Sequence, residues 1–346
     1  MALLDGLLFL VVLMATSWGA LALGHRLPFP RPWRWCAVGL WMLAAVSWWL
    51  MAWQGARLGS LLGMGVQMAV LLAWWRRLTP AKDLDWAEDV AHLATGRVEG
   101  ERLTLDHVRH FDWQAPGVAT GSWERRTYDL ERLSALDLFV SNWGRPGIAH
   151  VLISFGFTGR DGQANDFVTF SVEVRRERHE RFSEIGGFFK QYELAIIAAD
   201  ERDAVRLRSN VRGERVTLYH VTLASEARRR LLLELVGSAN DLACEPRFYH
   251  TITANCATLV FAMMRRIIEG LPLDHRLLLS GLLPGYVHDH GGLVEGYRLS
   301  ELRRLGDITE RARQAHDAPD FSRQIRRGVP GWYDEMDSQR MTRLPS

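Results

Sequence analysis

Cys256 is the residue of this chain best placed for covalent chemistry. It closes the stretch Arg247-Phe248-Tyr249-His250-Thr251-Ile252-Thr253-Ala254-Asn255-Cys256, and beyond it Leu259, Val260, Met263, Met264, Ile267 and Ile268 recur at spacings of three and four. That spacing predicts a helix with one buried face. Thr251, Thr253 and Asn255 are residue types that cap helix starts, so the cysteine falls in the first turn. Unpaired backbone N–H groups and the helix dipole favour a thiolate there. A second reading stands beside this one: most free cysteines are small buried hydrophobes, and position alone favours that state. The other cysteines, Cys36 and Cys244, are too few for a disulfide framework.

A cysteine nucleophile needs a base, usually histidine, and a polar group to orient it. Strand parity chooses among the 12 histidines. In Ala149-His150-Val151-Leu152-Ile153-Ser154-Phe155 the odd positions are apolar and point into a core, with His150 on the opposite face. In the next strand Val168, Phe170, Val172 and Val174 face one way and Thr169, Ser171, Glu173 and Arg175 the other. If the two strands pair, His150 shares a face with Ser171 and Glu173, either of which can accept a hydrogen bond from the ring. On these residues alone the favoured reading of His150 is a strand-end residue bonded to a backbone carbonyl. His250, close before Cys256, is the competing base. His107 and His110 read as surface residues, and His288-Asp289-His290 lacks the companion ligands of a metal site. With no serine elbow, phosphate-binding glycine loop or metalloprotease helix motif, neither metal nor cofactor is expected.

The elements that must position these groups fall into three regions. Leu3–Leu23, Trp35–Trp53 and Gly59–Trp75 are apolar runs near the length that crosses a hydrocarbon core, with Asp5 the one charge in the first. Tryptophans gather between Trp33 and Trp75, as at membrane interfaces. Gly55, Gly59 and Gly63, four apart, would let such helices pack closely. The first run lacks the basic start of a cleaved signal peptide and reads as retained. Residues 1–78 are thus expected as three transmembrane helices, 79–305 as a globular domain, and 306–346 as a polar, loosely ordered tail. The domain reads as α+β, an antiparallel sheet with packed helices. Strands are expected at 98–108, 123–130, 136–140, 148–157, 167–175, 192–199, 205–207 and 216–221, with a turn at Asp200-Glu201-Arg202-Asp203. Helices follow at 225–242, capped by Ser225, after Cys256, and at 300–305.

Charge bounds the partners. The 42 basic and 40 acidic residues give a net charge of +2 without a basic stripe, which argues against nucleic acid. With three spans, the side that holds the large domain also holds Arg26, Arg31, Arg34, Arg76, Arg77 and Lys82, against Arg57 on the other side. Taken literally, the positive-inside rule places the domain in the cytoplasm.

Several separated segments resemble a known bacterial family. They are Asp83-Leu84-Asp85-Trp86, Arg126-Thr127-Tyr128-Asp129-Leu130, Ile148-Ala149-His150-Val151, Ser154-Phe155-Gly156-Phe157 and Ser171-Val172-Glu173-Val174-Arg175. Gln191-Tyr192-Glu193-Leu194, Ala199-Asp200-Glu201-Arg202-Asp203 and Phe248-Tyr249…Asn255-Cys256 complete the set. Over about residues 80–300 they resemble the domain typified by the N-terminal periplasmic domain of lipoprotein intramolecular transacylase. The resemblance implies a permuted papain-like fold of the NlpC/P60 kind, with Cys256 as nucleophile, His150 as base and Glu173 or Ser171 orienting the base. It implies that Asn255, Tyr249 and Ala257 shape the substrate or oxyanion pocket, although Ala257 stands where the family block has threonine. It also favours a periplasmic domain on a multi-pass protein of the bacterial inner membrane, against the arginine count.

The function so implied is thiol-mediated acyl transfer through a thioester, on a lipid or lipoprotein ester at the lipid bilayer. Two alternatives are a cysteine peptidase or amidase acting on cell-wall peptides and a catalytically silent membrane-anchored binding module. The sequence leaves the oligomeric state open.

Overall fold

The three apolar runs form α1 (Ala2–Arg26), α2 (Arg31–Trp53) and α3 (Arg57–Arg77). Each is long and apolar enough to cross a membrane. They come from a computed structural model that describes residues 2–144, 147–159, 162 and 164–332. The expected turn residues Arg145 and Pro146, the loop residues Arg160, Asp161 and Gln163, and tail residues 333–346 lie outside the described residues.

Polar side chains bond between these helices, as they do where the surroundings offer no water. Trp41 Nε1 donates to the Thr16 carbonyl (2.9 Å), and Trp48 Nε1 to Gln67 Oε1 (2.8 Å). Gln67 Nε2 donates to the Trp41 carbonyl (3.1 Å) and Ser60 Oγ to the Trp48 carbonyl (2.6 Å). Of the three glycines expected to permit close packing, only Gly63 does so, since a Cβ there would lie 2.6 Å from the Trp48 ring. Gly59 has its nearest neighbour at 3.8 Å, and Gly55 instead serves the α2–α3 turn with φ +95°. The segments Arg181–Glu193 and Arg247–Thr251 complete this helical unit.

The second unit holds an eight-stranded sheet. Its strands are β1 (Thr95–Glu99), β2 (Arg102–Ala115), β3 (Val118–Asp129), β4 (Leu133–Asn142), β5 (Ala149–Thr158), β6 (Ala164–Arg175), β7 (Glu193–Asp200) and β8 (Arg215–His220). The order is β1-β2-β7-β6-β5-β4-β8, with β3 also on β2. An antiparallel sheet was expected; the sheet is mixed, because β7 pairs with β2 in parallel through Val108↔Ala198 and Arg109↔Ala199. Apolar alternation fixes which face a side chain takes but not the direction of its neighbour strand.

Both faces of β5 are covered. On one face Ile153 and its partner Leu138 line a cavity together with Leu231 of α5 (Ser225–Cys244) and Phe261 of α6 (Cys256–Ile267). On the other face Phe139, Leu152, Ala195, Ile197 and Leu218 share a core with Ala204 and Val205. The last two belong to α4 (Glu201–Arg206), which runs on as a π-turn over Leu207–Val211. The expected turn at 200–203 and strand at 205–207 are therefore wrong. Asp200 caps a helix, accepting the Arg202 N–H at 2.8 Å, and Glu201 and Asp203 occupy its first turn, where the dipole favours acids. Ser225 is the first residue of α5 rather than its cap, which is Ala224.

The largest difference lies in the tail. After α7 (Leu283–Asp289) and α8 (Leu299–Leu305) come α9 (Thr309–Gln314) and α10 (Phe321–Ile325). Ile308, Ala312, Ala315, Phe321, Ile325 and Val329 enter the core beside Leu152 and Leu218. Residues 307–332 are part of the folded domain, not a loose end.

Candidate active site

Asn255 sets the start of α6. Its Oδ1 accepts the N–H groups of Ala257 and Thr258, both at 2.9 Å, and Thr258 Oγ1 accepts the Asn255 N–H at 3.1 Å. This reciprocal cap satisfies three backbone donors and fixes Cys256 as the first helical residue. The Asn255 carbonyl oxygen and the Ala257 N–H are engaged in capping, and Ala257 is fully buried.

Cys256 is buried, and the His150 ring and the Val151 backbone are the neighbours whose hydrogen-bonding groups act on its thiol. The strand pairing expected from parity is present: Leu152 stands opposite Ser171, which carries His150 toward Glu173. His150 Nε2 lies 2.6 Å from Ser171 Oγ and 3.1 Å from Glu173 Oε1. Ser171 Oγ in turn donates to Glu173 Oε1 at 2.6 Å. Ser171 and Glu173 thus form one acceptor group rather than alternatives. With the serine proton directed to the carboxylate, the serine oxygen accepts from Nε2–H. That tautomer leaves Nδ1 unprotonated in the neutral ring.

One partner was missed by sequence reasoning. Arg208 Nη2 donates to Glu173 Oε1 at 3.0 Å, and Arg208 Nη1 reaches Glu214 at 3.5 Å. Arg208 lies on the π-turn, whose register the sequence pattern does not reveal. Its nearest sequence signal was a buried-type alternation around Val205 and Leu207, which pointed to a strand.

The charges reinforce one another. Burial alone would push the Cys256 thiol up, but the hydrogen bond and charge of His150, with the Val151 backbone, hold it below its ordinary value. Burial and the Arg208 charge would lower His150, yet Glu173 and the Cys256 hydrogen bond leave it raised. Glu173, which burial would raise, is held well below the ordinary carboxylate range by His150, Arg208 and Ser171. These directions favour a thiolate–imidazolium pair.

The remaining candidates have partners of their own. Tyr249 belongs to the helical unit, where its N–H donates to the Tyr192 carbonyl at 3.0 Å. His250 belongs there too, against the Phe188 ring. His288 and His290 bond the carbonyls of Tyr297 and Tyr286. Among the described residues no His, Cys, Asp and Glu group could hold a metal.

The helix that begins at Cys256 also lines a cavity of about 120 Å³ with almost wholly apolar walls. Val260 and Met264 follow Cys256 at four-residue steps along one ridge of the helix, and both line it, as does Ile268 just past the helix end. Ile153 lines it from β5, two residues beyond Val151.

A family model described as the Lnb N-terminal periplasmic domain matches residues 119–281. The match is narrower than the likeness over 80–300, but contains His150, Ser171, Glu173, Arg208 and Cys256. No curated protein and no solved structure matches the chain.

Proposed function

We propose, from the match of residues 119–281 to the family model of the Lnb N-terminal periplasmic domain, that the protein is a membrane-anchored thiol acyltransferase that processes a lipid or lipoprotein ester. The observation that carries this reading is that one helix presents both parts of the chemistry. At its first residue α6 holds Cys256 against His150, and along the same ridge it lines the apolar cavity. An apolar cavity stays dry and receives hydrocarbon, which favours acyl chains over the polar peptides of a cell-wall peptidase.

In the proposed cycle the Cys256 thiolate attacks the ester carbonyl carbon, and the electron pair moves to the carbonyl oxygen. The cap leaves the Cys256 N–H as the helix-start donor for that oxyanion. The tetrahedral centre collapses to a thioester, and His150 gives its proton to the departing alkoxide. An acceptor amine or hydroxyl then loses its proton to His150 and attacks the thioester, releasing the thiolate. Ser171 and Glu173 hold the ring and stabilise its charged form. The family's printed description and three helices able to cross a membrane support a periplasmic site facing substrates that stay in the bilayer. The order of His150 before Cys256, with the cysteine opening a helix, supports a permuted papain-like arrangement.

The test is acyl-enzyme labelling of the full chain in membranes with a lipid-ester probe. The label is expected on Cys256 and is expected to vanish in Cys256→Ala. A label that survives that substitution overturns the reading.

A further inference from the structure

Within the helical unit, the segments Arg181–Glu193 and Arg247–Thr251 are attached to the ends of α1 and α3 rather than to each other alone. The Phe189 ring stacks on His25 (5.6 Å) and meets Trp18 (6.5 Å), which itself packs edge-on against Trp75 (5.1 Å). Lys190 Nζ donates to the Trp75 carbonyl at 2.9 Å, close to the end of α3, and lies over the Trp75 and Phe248 rings. Gln191 Oε1 bonds His25 Nδ1 at 3.0 Å, and the Arg26 guanidinium covers Phe248. Trp18 precedes Arg26, the last residue of α1, by two helical turns, roughly 12 Å along the axis. The loop therefore lies alongside the last turns of an apolar helix and not beyond its end.

The same loop turns a second apolar set outward. Phe182, Ile185 and Phe188, three apart, are 52%, 55% and 37% exposed, while Phe189 and Tyr192 are buried. The same unit carries cations: Arg181 and Lys190 on the loop, Arg247 on the second segment, and Arg26, Arg76 and Arg77 in the last turns of α1 and α3. Outward apolar side chains with tryptophans and arginines at one end of a helix bundle match the chemistry of the headgroup–acyl boundary.

We propose that Arg181–Glu193 is a membrane-inserted loop, whose Phe182, Ile185 and Phe188 enter the headgroup–acyl boundary of the bilayer crossed by α1–α3. The occupant is the bilayer, because the exposed set is continuous with helices built to lie in it. The loop joins β6 to β7, and the companion segment ends five residues before Cys256.

The test uses the full chain with Cys36→Ala, Cys244→Ala and Cys256→Ala, and one added cysteine at Phe182→Cys, Ile185→Cys or Phe188→Cys. Each is labelled with bimane and reconstituted into phosphatidylethanolamine–phosphatidylglycerol vesicles containing lipid with a doxyl group at carbon 5. Val118→Cys, on β3 and 57% exposed, serves as the comparison. All three loop labels are expected to lose most of their emission, and the Val118→Cys label to keep it. Equal quenching at the loop and at β3 overturns the proposal. So does disulfide coupling of two copies through Ile185→Cys without lipid quenching, which would assign the surface to a protein partner. The readout needs no catalysis, so its failure leaves the thiol chemistry untouched.

Discussion

Arg208 Nη2 and Glu173 Oε1 lie 3.0 Å apart, so the carboxylate facing His150 is shared with a buried guanidinium. Arg208 lowers both neighbours: it stabilises the Glu173 carboxylate and opposes charge on His150. Arg208→Gln removes both effects, and the pKa values of Glu173 and His150 rise. Because the folded pKa of Glu173 is depressed, its contribution to stability is present above the ordinary value of 4.5 and is lost as pH falls through the lower folded value. In Arg208→Gln that acid loss is expected to begin at higher pH. Stability at neutral pH is expected to fall by about 1–3 kcal/mol, the cost of an incompletely satisfied buried group. Thermal unfolding across pH measures both, and an unchanged acid limb would show that the two residues are not coupled.

The thiolate has its own pH signature. Cys256 is held below 9.0 and His150 is raised above 6.5, so each shift moves the thiolate and the imidazolium toward a common pH range. Alkylation of Cys256 by iodoacetamide is expected to inflect below pH 9.0 in the wild type. In His150→Gln burial dominates and the inflection moves upward. Acyl transfer in that variant is expected to fall by roughly 10²–10⁴-fold, the usual contribution of a positioned base. Mass spectrometry of the alkylated peptide follows the inflection, and a profile that His150→Gln leaves in place would exclude the pair.

Ser171 and Glu173 touch the same ring nitrogen but do different things. Ser171→Ala removes a neutral hydrogen bond and leaves the carboxylate 3.1 Å away, so the charge on His150 persists. Glu173→Gln keeps the shape and removes the charge. The expectation is that Ser171→Ala lowers the rate by roughly tenfold, about 1.5 kcal/mol, with little change in the pH profile. Glu173→Gln is expected to shift the His150 limb to lower pH as well. A pH–rate profile for each variant separates the two, and identical shifts would mean that the serine carries the charge effect.

How far the sequence disclosed this site can be judged residue by residue. Cys256 was visible because capping residue types and a helical apolar period flank it, and both are local signals. His150, Ser171 and Glu173 were visible because parity in two short strands is also local, and only their pairing had to be assumed. Arg208 was hidden, since a π-turn breaks the helical period and its partner lies 35 residues back. The α4 segment was misread because six residues carry too little periodicity to separate helix from strand. The tail was misread for a different reason. Its core residues are few, their three- and four-residue spacing is broken between Ala315 and Phe321, and arginines such as Arg326 stand among them, so composition suggested solvent where the fold supplies partners.

The apolar cavity gives a test of substrate class. Val260 and Met264 line it one and two turns beyond Cys256. Met264→Trp fills the space away from the thiol, whereas the cysteine–histidine contact is left alone. Labelling by a long-chain lipid ester is expected to fall, while a short-chain thioester should react at the wild-type rate. A variant that still takes the long chain would place the acyl group elsewhere.

Arg326 decides whether the C-terminal segment belongs to the fold. Its Nε and Nη2 donate to Asp137 Oδ2 at 3.0 and 2.7 Å, and Nη1 and Nη2 donate to the two Glu201 oxygens, both at 2.6 Å. All three side chains are buried, and Trp332 Nε1 and His220 also bond Asp137, at 2.9 Å each. Removing one partner from such a group leaves charge without compensation, which costs about 3–5 kcal/mol. Arg326→Met is therefore expected to lower the stability of the full chain by that amount, read as a shift in its chemical unfolding midpoint. The added substitutions Asp137→Asn and Glu201→Gln remove the stranded charges and should recover part of the loss. The sign with pH follows from the carboxylate: Asp137 is held below 3.8, so its contribution is present above that value and disappears as pH falls through the lower folded value. Without Arg326 the Asp137 pKa rises and the variant loses stability at higher pH than the wild type. A loosely attached tail would leave both midpoint and pH limb unchanged.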